Sequence, residues 1–535
     1  MTDGPGGDDR RPLTLVDVAA SLGTAAPLPT GTGAQPVTGV TLDSRRVAPG
    51  DLYAALPGAN VHGARFTAQA VAAGAVVVLT DPDGAGAAGG AGVPVLVVDD
   101  PRAVLGELAA RVHGRPGERL VTVGVTGTNG KTTTAYLVEA LMRGAGWVTG
   151  LLGTVETRVA GQRVSSVRTT PEAPDLHALL ARMVTAGVRG CALEVSSHAL
   201  ALHRVDGLVV DVAVFTNLSR DHLDFHGSME EYFAAKAGLF TPARARRGVV
   251  AVDDAWGRRL AGTAGVPVTT VRTGAGSGDG AGGGGDADWV VRDLRLGRDG
   301  STFRLVAADG TELHLSCPLP GDFNAANAAL AAVAALAAGL TAQQVQDGLR
   351  SAEGVPGRLE RVVTGAPGEP LVVVDYAHTP DAVERVLAAL RPLTTGRLAV
   401  VLGAGGDRDR DKRSLMGAAA ARGADLVVVT DDNPRSEVPA AIRAAVLSGA
   451  TGPSGAAGGA EVLEVPDRRE AVRAALERCT GPGDTVLLAG KGHETGQETA
   501  GVVAPFDDRA VAAEELRRRA QAPARPSTSA AGGVS

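Results

Sequence analysis

The sequence predicts an α/β protein with three domains, and three observations lead to that prediction. At 535 residues the chain is longer than one ordinary hydrophobic core allows. Short apolar, β-branched runs alternate with amphipathic stretches, which is typical of mostly parallel sheets covered by helices. Polar clusters directly follow many of these runs, at the strand ends where such sheets bind ligands. We expect a smaller N-terminal α/β domain, a central domain with a mostly parallel sheet and a C-terminal Rossmann-like domain.

Changes in composition set the predicted boundaries. Residues 1–12 and 519–535 are small, polar or proline-rich, so we expect a disordered N-terminus and a disordered tail. The first domain covers residues 13–118, the central domain 119–357 and the C-terminal domain 358–518. Residues 273–288 are so rich in glycine that they predict a flexible surface loop inside the central domain.

Composition and charge exclude several classes of protein. A formal net charge of −7 leaves no broad basic surface for nucleic acid, so an anionic ligand must be bound locally. The three cysteines lie far apart without a C-x-x-C pair, which argues against a disulfide scaffold or a zinc site. The N-terminus lacks an apolar secretory segment, and the alanine-rich stretch 325–340 is too short to span a membrane. We expect a cytoplasmic protein without a membrane span.

The N-terminal domain is predicted from short strands and one or two helices. A helix around residues 67–73 leads into a strand at 75–79, and residues 82–94 predict a loop of glycine and alanine. Ser44 and Arg45 follow an alternating apolar strand and could hydrogen-bond a polar ligand at the strand end. A surface turn explains these two residues equally well.

The central domain begins with a strand, a glycine loop and a helix. In such a loop the backbone N–H groups and the positive end of the helix bind phosphate oxygens. Lys131 would contact the outer phosphates, and the Thr132 hydroxyl would hold Mg²⁺. The loop is a shorter variant of the common P-loop, and an ordinary glycine turn before a helix is the alternative. The predicted phosphate-binding loop comprises Gly127, Thr128, Asn129, Gly130, Lys131, Thr132 and Thr133.

Four further polar positions of the central domain have two interpretations each. Glu194 ends an apolar run and is a natural Mg²⁺ ligand, but it could instead pair with a lysine. Mg²⁺ prefers oxygen to imidazole, so His222 could simply cap a turn. Lys236 has no acidic partner four residues later on its helix, which is typical of a solvent-facing lysine. Asn324 stands at a predicted helix start, where capping would also explain it.

The C-terminal domain repeats the pattern of apolar strands that end in polar clusters. The clusters lie at residues 375–381, 403–409, 431–437 and 490–494. Because parallel strands end at one edge of a sheet, we expect these clusters to form a second site that faces the phosphate loop across a cleft. The G-A-G-G segment at 403–406 lacks the third glycine of a dinucleotide fingerprint.

Taken in order, the motifs resemble those of one family. The chain contains T-G-T-N-G-K-T-T-T, T-T-P, E-V-S-S-H, F-T-N-L-S-R-D-H-L-D-x-H, A-A-K-x-x-L-F, G-x-F-N-x-x-N, G-R-L-E, D-Y-A-H-T-P, G-G-D-R-D, D-N-P-R and G-K-G-H-E. Each motif is weak alone, but together, over about residues 38–510, they resemble the Mur ligases of peptidoglycan synthesis. That family has a uridine-nucleotide domain, a central ATPase and a C-terminal Rossmann-like domain that brings an amino acid.

The resemblance implies an ATP-dependent acid–amino-acid ligase. It would add meso-2,6-diaminopimelate to the D-Glu of UDP-N-acetylmuramoyl-L-Ala-D-Glu through an acyl phosphate. The partners would be these small molecules, with Mg²⁺ as cofactor and ATP as co-substrate, and we expect a monomer. No nucleic acid is implied.

The resemblance also implies roles for individual residues. Lys131, His222 and Lys236 would serve catalysis, and Lys236 matches a lysine that the family carbamylates to N6-carboxylysine. Many relatives carry Gln where this chain has Leu202, whose side chain cannot form the corresponding hydrogen bond to the substrate. The implied Mg²⁺ ligands are Thr132, Glu194, His222 and the Lys236 carbamate, and the further ATP contacts are Asn324, Arg358, Asp375 and His378. The implied contacts of the UDP substrate are Ser44, Arg45, Thr169, Thr170, Ser196 and Arg204. The implied contacts of diaminopimelate are Arg408, Asp432, Asn433, Arg435, Gly490 and Glu494.

Three alternatives stay open. The same ligase could use L-lysine, which lacks one carboxylate of diaminopimelate; Arg435 favours diaminopimelate because a guanidinium pairs with a carboxylate through two hydrogen bonds. A folylpolyglutamate synthetase-type ligase has a similar ATPase core, but the N-terminal domain and D-N-P-R argue against it. A nucleotide-dependent switch would hydrolyse ATP slowly without forming an amide, and the chain has no N-K-x-D guanine-reading motif.

Overall fold

The computed structural model describes residues 12–23, 31–58, 60–164, 168–274, 287–366, 368–456 and 458–521. Most of the predicted disordered N-terminus and tail, and most of the predicted glycine-rich loop, lie outside these residues. The chain divides into two compact units. The first holds the described residues up to Arg295 with Gly300–Pro318 and Asp322–Glu353, and the second holds Leu296–Asp299, Leu319–Gly321 and the described residues from Gly354 onward.

The N-terminal part of the first unit is a four-stranded parallel sheet with apolar clusters on both faces. Because strand side chains alternate, Leu52 belongs to one cluster and Tyr53 to the other. Its elements are β1 (Gly39–Thr41), β2 (Asp51–Ala54), β3 (Val77–Thr80), β4 (Val95–Val97), α1 (Leu15–Ser21), α2 (Thr67–Ala72), α3 (Pro82–Ala88) and α4 (Pro101–Val112), with a 3₁₀ turn at Gly63–Phe66. The strand order is β1-β2-β3-β4.

Helix α3 corrects the prediction of a loop over residues 82–94. Asp81 caps the helix by accepting a hydrogen bond from the Gly84 N–H at 2.8 Å. Pro82 occupies the first turn, where its fixed φ suits a helix and its missing N–H costs nothing. The local cap therefore outweighs the low helix propensity of the glycines that follow.

The central part of the first unit is an eleven-stranded sheet. Its strands are β5 (Val121–Thr126), β6 (Thr149–Leu152), β7 (Thr157–Val159), β8 (Gln162–Val164), β9 (Gly190–Glu194), β10 (Val210–Phe215), β11 (Ala245–Ala251), β12 (Val268–Arg272), β13 (Trp289–Gly297), β14 (Gly300–Ala307) and β15 (Glu312–Cys317). The order is β15-β14-β13-β12-β11-β10-β5-β9-β6-β7-β8. In this spatial order, every neighbouring pair from β13 to β6 is parallel, and antiparallel pairs lie at both edges of the sheet. The prediction of a mostly parallel sheet is therefore confirmed.

Helices alternate with these strands as predicted. They are α5 (Lys131–Gly144), α6 (Ala173–Thr185), α7 (Ser197–Ala201), α8 (Leu223–His226), α9 (Met229–Ala237), α10 (Ala255–Thr263), α11 (Asp322–Ala337) and α12 (Ala342–Arg350), with 3₁₀ turns at Pro116–Arg119 and Gly238–Phe240. The alanine-rich α11 packs against α5. Asn324 lies buried inside α11 rather than at its N-cap, so the capping interpretation is wrong.

The second unit contains a six-stranded sheet in the order β16-β17-β21-β18-β19-β20. Its strands are β16 (Glu360–Val362), β17 (Leu371–Asp375), β18 (Leu398–Leu402), β19 (Leu426–Val429), β20 (Glu461–Glu464) and β21 (Thr485–Ala489), and β22 (Gly496–Thr499) with β23 (Val502–Pro505) forms a separate hairpin. The helices are α13 (Pro380–Leu390), α14 (Lys412–Gly423), α15 (Pro439–Thr451), α16 (Pro453–Ala456), α17 (Arg468–Arg478) and α18 (Asp508–Gln521), with a 3₁₀ turn at Arg391–Leu393. Only β16 pairs antiparallel within the sheet, which confirms the Rossmann-like prediction.

Helix α18 extends to Gln521, so residues 519–521 are helical and the predicted start of a disordered tail is wrong there. Arg519 anchors this last turn. Its guanidinium donates to the carbonyls of Leu476 and Cys479, at 3.2 and 3.1 Å, at the C-terminal end of α17. A long arginine side chain can therefore order a stretch whose composition alone suggests disorder.

The cysteines Cys191, Cys317 and Cys479 are free and buried. Burial raises the pKa of Cys191 to about 12 and that of Cys479 to about 11. In the parts of the chain that the structure describes, no helix combines the length and the apolar character that crossing a bilayer requires.

Candidate active site

The phosphate loop lies between β5 and α5, as predicted. Gly127 has a φ of 148° and Gly130 a φ of 88°, values that side chains disfavour. A Cβ atom at Gly127 would lie 1.9 Å from Thr216 Oγ1, and one at Gly130 would lie 2.3 Å from Asn327 Oδ1. Both positions therefore require glycine. Asn327 Nδ2 in turn donates to Asn324 Oδ1 at 3.4 Å, which brings this predicted ATP contact to the loop.

The segment after β10 holds the backbone of the loop in place. The Asn129 N–H donates to Asn217 Oδ1 at 3.0 Å, and the Asn129 carbonyl accepts from Asn217 Nδ2 at 3.1 Å. The Thr128 N–H donates to the Asn217 carbonyl at 2.9 Å. These bonds preorganise the loop backbone, and they occupy the Thr128 and Asn129 N–H groups, so that phosphate would be bound by the other N–H groups of the loop.

Two lysine side chains meet at the loop. Lys131 Nζ donates to the carbonyls of Gly127 and Thr128, at 2.9 and 2.8 Å, and Lys236 Nζ donates to the Gly127 carbonyl at 2.7 Å. Lys236 is only 1% exposed and lies 4.6 Å from the ring centroid of Tyr232. The solvent-facing interpretation of Lys236 is therefore wrong. Burial and the charge of Lys131 lower the pKa of Lys236 well below its ordinary value, which favours a neutral amine.

Glu194 ends β9 and contacts the first turn of α5. Its carboxylate accepts from Thr132 Oγ1 at 2.9 Å and from the Thr154 N–H at 2.7 Å. These partners are a hydroxyl and an amide, so the structure does not support pairing of Glu194 with a lysine. A buried carboxylate beside a hydroxyl is an all-oxygen donor set, which fits Mg²⁺. Among the described residues, no three His, Cys, Asp or Glu are grouped to hold a metal ion, so phosphate oxygens would have to complete the site.

His222 precedes α8 in a left-handed conformation, with a φ of 53°. Its side chain makes no capping hydrogen bond, so the turn-capping interpretation is wrong. The ring packs edge-on against His198, with centroids 4.9 Å apart, and Nε2 lies 3.4 Å from Asp221 Oδ2. Burial lowers the pKa of His222 to about 4, so its imidazole is neutral at physiological pH and has a lone pair to offer.

Three predicted substrate contacts lie around Glu194. Thr170 Oγ1 donates to the Glu194 carbonyl at 2.9 Å, and the Ser196 N–H donates to Thr170 Oγ1 at 3.2 Å. Thr154 Oγ1 donates to Thr169 Oγ1 at 2.9 Å while also contacting the Glu194 carboxylate. The hydroxyl groups and the predicted metal ligand therefore form one polar cluster.

A pocket of about 610 Å³ lies elsewhere in the first unit. The predicted substrate contacts Ser44 and Arg45 line it, together with Glu172. Ser44 Oγ donates to Gln69 Oε1 at 3.2 Å, and Arg45 pairs with Asp43 at 2.8 Å. The volume of the pocket is in the range of small-molecule sites, which favours ligand binding over a plain surface turn as the role of Ser44 and Arg45.

The carboxylate of Glu172, a residue in the wall of this pocket, contacts three arginines. Its carboxylate lies 3.1 Å from Arg102 Nη1, 2.7 Å from Arg168 Nη1 and 3.0 Å from Arg204 Nε. Glu172 is 8% exposed and the Arg204 side chain 15%, so this pair is poorly screened by water, whereas the Arg168 side chain is half exposed. The predicted substrate contact Arg204 is therefore held by a residue that the sequence did not single out.

We expect Glu172→Gln to lower the free energy of unfolding by about 2–4 kcal/mol, because three guanidinium groups lose their buried counter-charge. Urea denaturation followed by circular dichroism measures the change. The matched control is Glu107→Gln, whose carboxylate is half exposed beside Arg115 and should cost less than about 1 kcal/mol. Equal losses in the two variants would contradict the role of Glu172.

In the second unit, Arg358, Asp375 and His378 come together at the end of β17. Asp375 closes the strand and accepts from the Leu359 N–H at 2.8 Å. The Arg358 guanidinium lies 4.6 Å from the ring centroid of Tyr376, and His378 Nδ1 lies 2.7 Å from the Tyr376 carbonyl. Burial raises the pKa of Asp375. The structure thus groups these three predicted ATP contacts.

The predicted diaminopimelate contacts follow three parallel strands of the C-terminal sheet. Arg408 follows β18, and Asp432 and Asn433 follow β19. Gly490 follows β21 with a φ of 109°, and a Cβ atom there would lie 2.8 Å from Asp432 Oδ2. Asn433 Nδ2 donates to Glu494 Oε2 at 2.7 Å. The structure therefore brings the carboxyl ends of these strands into one polar cluster.

Arg435 completes this cluster and is fixed by its backbone. It has a φ of 52°, and its N–H donates to the Glu498 carbonyl in β22 at 3.1 Å. Its Nη1 donates to the Gly406 carbonyl at 2.6 Å, while Nε lies 3.6 Å from Glu498 Oε2. A Cβ atom at Gly405 would lie 3.1 Å from Arg435 Nη1 and 3.9 Å from Arg408 Cγ, so both arginines lie beside one glycine.

Besides Glu172, three residues of these clusters are not identified as site residues by the sequence patterns. Lys491 stood inside the quoted G-K-G-H-E motif, and its place after a buried strand was a usable signal. Thr154 and Tyr232 had no such signal, because only the folded chain brings them to Glu194 and Lys236.

Comparison with known proteins identifies the family. The Mur ligase family catalytic domain matches residues 36–113, the Mur ligase middle domain 125–336 and the Mur ligase glutamate ligase domain 357–492. The UDP-N-acetylmuramoyl-L-alanyl-D-glutamate–2,6-diaminopimelate ligase of Streptomyces coelicolor is 55% identical over 94% of this chain and 96% of its own.

Solved structures agree with these matches. A diaminopimelate ligase of the same name superposes with a TM-score of 0.66 at 33% identity, covering 95% of this chain and 99% of that one. A folylpolyglutamate synthase of Mycobacterium tuberculosis, complexed with ADP, reaches a TM-score of 0.57 at 21% identity over 79% of this chain and 95% of that one, a likeness of fold alone. The chain belongs to the Mur ligase family.

Proposed function

We propose that the chain is an ATP-dependent ligase of peptidoglycan precursor synthesis that joins meso-2,6-diaminopimelate to the D-Glu carboxylate of UDP-N-acetylmuramoyl-L-Ala-D-Glu. The observation that carries the proposal is the phosphate loop with buried Lys236 beside it, in a chain 55% identical to the Streptomyces coelicolor ligase named for that reaction. The location is proposed to be cytoplasmic and the enzyme monomeric.

The reaction requires activation, because a carboxylate oxygen is a poor leaving group. ATP transfers its γ-phosphoryl group to the D-Glu carboxylate, which gives an acyl phosphate and ADP. The diaminopimelate amine then attacks the acyl carbon, loses a proton and displaces phosphate. Both steps gather negative charge, and the loop N–H groups with Lys131 would stabilise that charge.

Thr132 and Glu194 would hold Mg²⁺ through their oxygens, with neutral His222 as a further ligand. The ion would neutralise charge on the phosphate oxygens. The proposal gains support from the 2.9 Å contact between the Thr132 hydroxyl and the Glu194 carboxylate, because both oxygens are already in one place.

We expect Glu194→Gln to lower kcat/KM by about 10²–10³-fold, and to raise the Mg²⁺ concentration that gives half-maximal activity, because the ligand loses its charge. Phosphate release titrated with MgCl₂ measures both effects. Glu139→Gln is the matched control, since Glu139 is also buried but bonds Thr149. An unchanged Mg²⁺ dependence of the Glu194 variant would refute its role as ligand.

Lys236 would act as a carbamate. A neutral amine can attack CO₂ and release one proton, which converts a neutral nitrogen donor into an anionic oxygen ligand. The lowered pKa of Lys236 supports this step, because it increases the neutral fraction of the amine, which is the form that attacks CO₂. The carbamate would add an oxygen ligand beside the phosphate loop.

The first unit would bind the UDP substrate through the pocket that Ser44 and Arg45 line. Arg204, Thr169, Thr170 and Ser196 would contact the muramoyl dipeptide. Leu202 offers no side-chain hydrogen bond, although its carbonyl accepts from Arg102 Nη1 at 3.3 Å.

A substrate panel tests the whole proposal. Purified protein receives UDP-N-acetylmuramoyl-L-Ala-D-Glu, ATP and Mg²⁺ with diaminopimelate, L-lysine or L-ornithine, and phosphate release is followed together with product mass. We expect the tripeptide product with diaminopimelate, at least about 10²-fold more efficiently than with lysine. Product with lysine alone would favour the lysine-adding alternative. In a parallel reaction with a folate and glutamate as substrates, product formed only there would favour the folylpolyglutamate synthetase type. ATP hydrolysis without any amide would favour a switch.

A further inference from the structure

Lys491 lies directly after Gly490, and its side chain is fully buried. Its Nζ donates to Asn433 Oδ1 at 3.0 Å and to Asp432 Oδ1 at 3.4 Å, and lies 3.7 Å from Glu494 Oε2. A buried ammonium group persists only where several oxygens offset its desolvation. Here these oxygens all belong to residues proposed to bind diaminopimelate, so Lys491 lies behind that site.

The side-chain amide of Asn433 has one favourable orientation. Its Oδ1 accepts from Lys491 Nζ and from the Glu498 N–H at 3.0 Å, while its Nδ2 donates to Glu494 Oε2 at 2.7 Å. A flipped amide would place its NH₂ against two donors and its oxygen against a carboxylate. Lys491 therefore helps to hold the Asn433 amide in the orientation in which its NH₂ group donates to Glu494.

The same ammonium group balances two carboxylates. Burial and the neighbouring Asp432 raise the pKa of Glu494, whereas Asn433, Lys491 and Arg435 lower it. Among the described residues, the Tyr376 phenol and the Arg468 guanidinium also interact electrostatically with Glu494, and Arg468 is itself paired with Asp508. Without Lys491, the balance moves towards protonated Glu494.

We propose that Lys491 is a positioning residue for diaminopimelate, which fixes the Asn433 amide and keeps Glu494 a carboxylate that can bind an ammonium group of the substrate. The inference rests on the proposed function. Lys491 itself does not contact the substrate in this account. Its effect is transmitted through Asn433 and Glu494.

The test is Lys491→Met, which keeps the side-chain length and removes the charge. We expect KM for diaminopimelate to rise about 10- to 100-fold, and KM for ATP and for the UDP substrate to change less than about twofold. The acid limb of the pH profile of kcat/KM for diaminopimelate should move to higher pH, because Glu494 then binds a proton more readily. Phosphate release at varied diaminopimelate and pH measures both effects.

Lys412→Met is the matched control, because Lys412 is a half-buried lysine at the start of α14 and is not among the proposed site residues, and the kinetics of this variant should match wild type. A general structural effect of Lys491→Met would raise all three KM values or lower kcat without moving the pH profile, and that result would overturn the inference. Wild-type KM for diaminopimelate in Lys491→Met would also overturn it.

A second variant keeps the inference testable if Lys491→Met does not fold. Asn433→Asp retains the shape and leaves Lys491 in place, but puts a carboxylate oxygen where Nδ2 donates to Glu494. We expect the same selective rise in KM for diaminopimelate, and a wild-type KM would contradict the inference. If the wild-type protein forms no product with diaminopimelate, the proposed function fails; if wild type is active and both variants match it, only this inference fails.

Discussion

Replacing Lys236 by alanine is expected to lower kcat by about 10³-fold or more, while the protein stays folded. The Lys236 amine lies 2.7 Å from the Gly127 carbonyl, so its removal takes the proposed carbamate away from the phosphate loop. Alanine is tolerated in a helix, and the apolar face of α9 keeps Tyr232 and Phe233. Single-turnover phosphate release measures the loss, and thermal unfolding verifies the fold.

Chemical rescue distinguishes a carbamate from an ammonium group. If Lys236 acts as an anionic oxygen ligand, acetate or formate added to the alanine variant should restore part of kcat, whereas methylamine should not. Lys412→Ala is the control that should behave like wild type. Rescue by methylamine alone would contradict the carbamate, and an undiminished kcat would remove Lys236 from the mechanism.

Replacing Arg435 by alanine is expected to raise KM for diaminopimelate about 10²-fold, with KM for ATP changed less than about twofold. The guanidinium would give two parallel hydrogen bonds to the distal carboxylate, and no other side chain type reproduces that fork. Arg435→Lys retains the charge without the fork, so we expect it to recover only a small part of the affinity. Initial rates at varied diaminopimelate measure both variants.

The control for Arg435 is Arg410→Ala. Arg410 is an exposed arginine paired with Glu437 at 3.3 Å, and its loss should leave both KM values near wild type. Equal losses of diaminopimelate and ATP use in Arg435→Ala would refute the assignment. So would an unchanged preference for diaminopimelate over lysine.

Local patterns in the sequence were enough to predict much of the fold. The strand, loop and helix around Gly130 are encoded within a short stretch, and the strands that end at Glu194 and Asp375 are marked by apolar runs. Strand β20 and the hairpin of β22 and β23 were not predicted, because their residues are partly charged and exposed. Such edge elements form through their neighbours rather than through their own apolar pattern.

The site itself was only partly predictable. Lys131 and Thr132 follow from the loop motif, but the burial of Lys236 depends on how α9 packs against a loop more than 100 positions earlier in the chain. Likewise, Glu172 sits in an unremarkable segment and gains its role only from arginines of other elements, such as Arg102 at 3.1 Å. Sequence patterns identify side chains that are capable of binding or catalysis, whereas tertiary contacts determine which of these side chains lie close together.

Because the native cysteines are buried, an introduced exposed cysteine can be labelled selectively with a fluorescent dye. The thiolate is the form that reacts with maleimides, and burial both raises the pKa of Cys191 and Cys479 and blocks access to them. A cysteine introduced at Val502, which is 69% exposed on the hairpin that carries Glu498, would therefore react far faster than the native thiols. A dye at that position reports on the hairpin whose strand β22 holds Arg435. No natural cysteine has to be removed first.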